Sequence, residues 1–322
     1  MRISVSAWDP GYVDTGERAA EASRAQLDLD LEKHSDDWTP VAARAAAATP
    51  QRVLLVDGVR RIDARVDIAV DGRPPQPGLC ASYAAGVVVC DLGCDSPNAT
   101  VAVDRVERGL FSGVDAEHFA SSPSGAAGYP PRRARAEDPG DLVNAVQDRL
   151  TDLEVEIASA AEPAAADLLV IDGALRRRDR LRRAVGYIKS HQRRYLPDQQ
   201  SLIVDKLAPG ERTPVFLLGT TWQRHSWYLR LPGGGDGSWA GIARLEAAAD
   251  LHIDAVVDLA DASTAVLPRL ASSPHKDPRA PQNLTPIAGL ERRLRAKLGD
   301  PRLLLRKLRA GGRGLTASRT QE

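Results

Sequence analysis

Two apolar runs in this chain end in the same dipeptide. Residues 54–58 read LLVDG and residues 169–173 read LVIDG, so Asp57 and Asp172 each close a stretch of Leu, Val and Ile and each precede a glycine. Four apolar residues in a row is the pattern of a strand covered on both faces. A carboxylate at the end of such a strand faces the crevice where open α/β sheets hold ligands. The glycine lets the chain turn sharply at the sheet edge. Asp-Gly is also an ordinary turn dipeptide, but its recurrence after two similar strands favours two acids meeting in space.

A third acid comes from a helix. Residues 141–161 carry apolar side chains at helical spacing, with Val146, Leu150, Leu153, Ile157 and Ala161 as the buried stripe. Glu154 falls on that stripe, whereas Glu156 falls with Arg149, Asp152 and Ser159 on the polar side. An inward carboxylate needs a cation or a dense set of hydrogen bonds; the alternative is a stripe-edge residue that snorkels outward. Asp57, Glu154 and Asp172 together would be an all-oxygen donor set, suited to Mg²⁺ or Mn²⁺ rather than zinc. Two such ions about 4 Å apart clamp the attacking water and the leaving oxygen of a phosphodiester. Lys189, which ends VGYIK at 185–189, could bring a compact positive charge to the same edge, or simply be solvated. Arg60, Arg176, Arg177, Arg193 and Arg194 are candidates for holding a nucleic-acid backbone, or for a wet charged surface.

The rest of the chain must position these groups. Its 322 residues, 43% hydrophobic, suffice for one large α/β domain with appendages. Equal numbers of basic and acidic residues, 43 of each, exclude a global basic field and leave room only for a local patch. Three cysteines, Cys80, Cys90 and Cys94, are too few for a disulfide framework and read as free thiols of a reducing compartment. With no leader-like start and no run near the ~18 apolar residues of a bilayer span, a soluble cytoplasmic protein is expected, without a membrane role. Residues 16–34 read as a solvated helix or coil. Strands are expected at 53–57, 64–70 and 86–92 as a meander, a long loop at 112–140, and strands at 168–172, 185–189, 213–218, 226–231 and 239–246. Helices are expected at 199–207, 254–270 and 286–309.

LLVDG, a helix with an inward glutamate, then LLVIDGAL and VGYIKS, in that order, resembles the NurA family over roughly residues 50–310. The resemblance implies a ribonuclease-H-like α/β fold, with a mixed central sheet flanked by helices, additional strands and a C-terminal helix. It divides the chain into an N-terminal helical or irregular extension (1–49), a nuclease domain (50–310) and a disordered tail (311–322). It further implies that Asp57, Glu154 and Asp172 are ligands of Mn²⁺ or Mg²⁺, in a two-ion site, and that Lys189 supports catalysis or contacts phosphate. The implied activity is a DNA nuclease, a 5′–3′ exonuclease and single-strand endonuclease acting in end resection during double-strand-break repair. The implied assembly is a homodimer beside a HerA-type hexameric DNA-translocating ATPase. The family commonly ends in a Tyr-Pro-rich segment followed by Ala-His. Here that region reads PHKDPRAPQNLTPIAGLE, in which His275 and Asp277 are the candidates for a late site residue. A degenerate scaffold that binds DNA or regulates the translocase, and a ribonuclease of similar fold, are the competing readings.

Overall fold

The computed structural model describes residues 25–44, 49–69, 72, 74–93, 98–114, 128–135, 139–189, 195–234, 239–273, 275, 277 and 279–317. In chain order the elements are β1 (Gln26–Asp28), β2 (Val41–Ala42), β3 (Arg52–Ile68), β4 (Gln76–Asp91), β5 (Asn98–Ser112), β6 (Pro131–Arg133), α1 (Pro139–Ala160), β7 (Leu168–Asp172) and β8 (Ala184–Ile188). They continue with α2 (Asp198–Lys206), β9 (Glu211–Arg212), β10 (Phe216–Gly219), β11 (Gln223–Arg230), β12 (Ile242–Ala248), α3 (Ile253–Leu270), α4 (Thr285–Lys297) and α5 (Pro301–Ala317). The protein is α/β with mixed strand pairing, as its sequence predicts. Two compact units share the chain: Met1–Val56, Val88–Thr100 and Glu162–Gly289 form one; Asp57–Val87, Val101–Ala161 and Leu290–Glu322 form the other.

In the first unit the strand order is β1-β10-β11-β12-β8-β7-β3. Pairing is antiparallel from β1 to β8 and parallel at β8–β7 and β7–β3. The parallel strands sit where the sequence is most continuously apolar: Val53–Val56 and Leu168–Ile171 are fully buried or nearly so, as strands covered on both faces must be. Trp38, Val204, Phe216, Leu218, Tyr228 and Ile242 anchor a further core, with Phe216 stacked on Tyr228. Within 16–34 the described residues start at 25, and Gln26–Asp28 is a strand against β10, not helix or coil. This segment is held by a buried ion network. Arg212 donates to Glu32 at 2.7 and 2.8 Å and to Asp261 at 2.7 and 3.0 Å, and the Val215 N–H also donates to Glu32. Burial pushes the Glu32 carboxyl up, but the Arg212 hydrogen bond and charge, with the Val215 N–H, leave it below its ordinary range.

The second unit contains the rest of β3, most of β4 and β5, and β6, α1 and α5. β3 corrects the sequence reading: 53–57 and 64–68 are parts of one 17-residue strand, Arg52–Ile68. β5 was hidden in the sequence by its charges, which are matched here. Glu107 accepts from Arg149 at 2.9 Å and from Tyr83 at 3.1 Å, and Asp104 pairs with Arg293 and Lys297. Residues 115–127 of the expected loop lie outside the described residues; 131–133 form β6, parallel to β5. The predicted helix 286–309 is two helices. Gly299 adopts φ +80°, and Asp300 then caps α5, its Oδ1 accepting from the N–H groups of Arg302 (2.7 Å) and Leu303 (3.1 Å), with Pro301 as first helical residue. α5 continues to Ala317, into the segment expected as a tail. Cys80 and Cys90 are free and buried, their thiols pushed up by burial to about 12 and about 11, and so are chemically quiet; Cys94 lies outside the described residues. Among the described residues no helix is long and apolar enough to cross a membrane.

Candidate functional site

β3 and β7 run parallel, in register from Val53 opposite Leu168 to Val56 opposite Ile171. The next residue on each strand is an acid, Asp57 and Asp172. In the second unit Asp57 is 8% exposed, and its Oδ1 accepts from the Gly58 N–H at 2.8 Å. The chain does not turn at this Asp-Gly; β3 continues through it. Gly58 has another cause. A Cβ there would stand 2.5 Å from Glu154 Oε1 and 2.8 Å from Leu150 Cδ1, so the missing side chain makes room for α1. Glu154 faces inward as its helical phase predicts, at 4% exposure, alongside buried Val146, Leu150, Leu153 and Ile157. Glu156 faces outward, paired with Arg149 and Arg105 at 2.7 Å each. α1 ends where Glu162 takes φ 49° before Pro163, which cannot continue a helix.

In the first unit Asp172 ends β7, and Gly173 does turn, at φ +112°, bonding back to Tyr187 of β8 through both its N–H (2.9 Å) and its carbonyl (3.0 Å). Lys189 follows β8. Its Nζ donates to Asp172 Oδ2 at 2.7 Å and to Asn283 Oδ1 at 2.8 Å. Asn283 is fully buried, and its Nδ2 donates to Asp277 Oδ2 at 2.5 Å. Asp277 Oδ1 accepts from the Arg279 N–H at 2.8 Å. The result is one ladder, Asp172–Lys189–Asn283–Asp277. Tyr187 ties β8 to the same segment by donating to the Gln282 carbonyl at 2.7 Å; burial, then the Asp172 charge, raises its hydroxyl well above the ordinary range.

Of the two late candidates, Asp277 joins this ladder and His275 does not. His275 is exposed, with Ser273 Oγ at 3.5 Å from its Nε2. Asn283 was missed in the sequence: it sits in an irregular run between α3 and α4, where no periodicity marks an inward residue. Arg60 donates to Gln147 of α1 at 2.8 Å, and Arg176 and Arg177 are exposed, Arg177 with φ 64°. Arg193 and Arg194 lie outside the described residues.

The donor chemistry of the three acids suits a hard divalent ion, and Asp172 is ion-paired with the Lys189 ammonium at 2.7 Å. Among the described residues, however, no three His, Cys, Asp or Glu side chains are gathered into a formed metal centre. In the second unit Glu154 lies against Gly58, the residue after Asp57; in the first, Asp172 is held by Lys189.

Among curated proteins none matches the chain significantly. A family model does: that of the NurA domain, which marks a family of nucleases linked to DNA repair, matches residues 15–294. That span takes in both Asp-Gly strands, α1 and the Lys189 ladder, and the chain belongs to the NurA family.

Proposed function

We propose that this chain is a metal-dependent DNA nuclease of ribonuclease-H-like fold, hydrolysing phosphodiester bonds in DNA end resection. The observation that carries the reading is the register of β3 and β7, which makes an acid the next residue on two neighbouring parallel strands. Asp57, Glu154 and Asp172 would hold Mn²⁺ or Mg²⁺, whose chemistry there is to acidify a bound water and to offset charge on the scissile phosphate. The chain's own groups contribute the rest. Burial of Asp57 and Glu154 keeps their carboxylates out of bulk water, so that their attraction for a cation is less screened. Lys189 carries a charge that a phosphate oxygen can share with Asp172. The DNA polarity (5′–3′ exonuclease with single-strand endonuclease activity), a homodimeric state, a HerA-type hexameric ATPase as partner and a cytoplasmic setting belong to the same proposal. Purified protein incubated with end-labelled single- and double-stranded DNA, with Mn²⁺, Mg²⁺ or chelator, tests it. Metal-dependent cleavage is expected, and cleavage that persists in chelator would sink the metal reading.

A second reading is a NurA scaffold that binds DNA or regulates a translocase without cutting. One observation favours it: Asp172 is engaged by Lys189. In the same assay it predicts DNA binding with no product under any ion.

A further inference from the structure

Lys189 is held from two sides. Asp172 takes its charge on one side; on the other, Asn283 offers Oδ1 while its Nδ2 is fixed by Asp277, so the buried amide cannot rotate its oxygen away without losing that bond. The far side also carries a carboxylate, Asp277, one amide beyond the ammonium, whose other oxygen accepts from the Arg279 N–H and lies 3.8 Å from the Arg279 Nε. Tyr187, through Gln282, keeps β8 and the 279–284 segment in place around it. A lysine that only neutralised Asp172 would need none of this second framework, least of all a fully buried asparagine aligned by an aspartate.

We propose that Lys189 is a displaceable counter-cation of Asp172 and that Asn283 with Asp277 is its second seat. Without a divalent ion the ammonium occupies Asp172 Oδ2. When the ion takes Asp172, the ammonium withdraws onto Asn283 Oδ1 and the Asp277 charge. Asn283 and Asp277 are positioning residues: they act on the Asp172 site through Lys189. Lysine suits this task because its long stem moves a compact charge over a short path, and a monovalent cation yields to a divalent one at a carboxylate. The inference rests on the proposal that Asp172 is an ion ligand.

The test reads ion affinity in the absence of DNA, by calorimetric titration of the full chain with Mn²⁺ and, in parallel, by electron paramagnetic resonance of free Mn²⁺. Lys189→Met removes the competing charge and should tighten Mn²⁺ binding roughly tenfold or more, even where it slows cleavage. Asn283→Leu leaves the ammonium without its second seat and should weaken Mn²⁺ binding, with circular dichroism to check that the buried site still folds. Lys189→Arg keeps the competitor and should stay near the parent affinity, so the conclusion does not depend on the asparagine variant. Asp172→Asn is the control for the underlying reading. If it leaves Mn²⁺ affinity unchanged, Asp172 is not a ligand and both ideas fall. If it weakens binding while Lys189→Met binds as the parent does, the nuclease reading stands and the counter-cation proposal is overturned.

Discussion

The two Asp-Gly pairs share letters and little else. At Asp172-Gly173 the glycine does what the dipeptide is known for: it takes φ +112°, ends β7 and folds the backbone onto Tyr187. A Cβ there would meet nothing within 4 Å, so the demand is on dihedral angle alone. At Asp57-Gly58 the strand runs straight on, and the demand is on space: Glu154 and Leu150 of α1 occupy the volume a side chain would need. One glycine is chosen for its backbone freedom and the other for having no side chain. The acids differ too, Asp57 accepting from the N–H of the glycine after it and Asp172 from a lysine ammonium.

The comparison is broken most forcefully at the acids. Asp57→Asn and Asp172→Asn should each lower single-turnover cleavage on the order of 10²-fold, as loss of a ligand or its support does. Asp172→Asn also deprives Lys189 of its charged partner, at about 1–3 kcal/mol in chemical denaturation. Full cleavage by either variant would remove that acid from the site.

Smaller, and sharper, is the contrast between the glycines. Gly58→Ala should cost about 1–3 kcal/mol through overpacking, and Gly173→Ala a similar amount, about 1–3 kcal/mol, through dihedral strain. A double-mutant cycle separates the causes. Gly58→Ala combined with Leu150→Ala should show a coupling of about 0.5–3 kcal/mol, since trimming Leu150 vacates the space the new methyl needs. Gly173→Ala should be additive with any neighbouring truncation. Additivity at Gly58 would mean that α1 does not press on it.

Smallest is the effect at the outward glutamate of α1. The Arg149 hydrogen bond pulls the Glu156 carboxyl below its ordinary range, burial opposes this, and the charges of Arg149 and Arg105 add to the lowering. A carboxyl whose folded pKa is depressed stabilises above its unfolded value and loses that contribution as pH falls through the folded one. Because Glu156 is 42% exposed, screening reduces the gain, and Glu156→Gln should cost no more than about 1 kcal/mol at neutral pH and flatten the acid limb slightly. Glu154→Gln should instead impair cleavage. If the two exchanged roles, the orientation of α1 would be misjudged.

What the sequence disclosed followed the strength of its periodic signals. LLVID at 168–172 and the stripe of α1 were legible because continuous apolarity and a 3.6-residue period have few other physical explanations, and they located Asp172 and Glu154. β5 was not legible, since its Asp104, Arg105 and Glu107 look like loop residues until Arg149, Arg293 and Lys297 arrive from elsewhere in the chain. The unity of β3 was concealed by its Asp-Gly, which local statistics assign to a turn although contact with α1 decides the matter. The break between α4 and α5 was written plainly as Gly-Asp-Pro and was overridden by a run of helix formers. Asn283 carried no local signal at all, because its partners Lys189 and Asp277 are made neighbours only by the tertiary fold.

The parallel pairing of Val53–Val56 with Leu168–Ile171 also has a kinetic side. Strands so distant in sequence close a large loop before they gain anything from each other, which makes this pairing a slow step. During synthesis VLLV leaves the ribosome long before its partner LLVI exists, and both are wholly buried in the finished fold. For that interval the strand leading to Asp57 is an apolar, uncharged segment of high β-propensity with an unsatisfied edge. Chaperone supply, more than the stability of the finished protein, should therefore govern its yield in a foreign host.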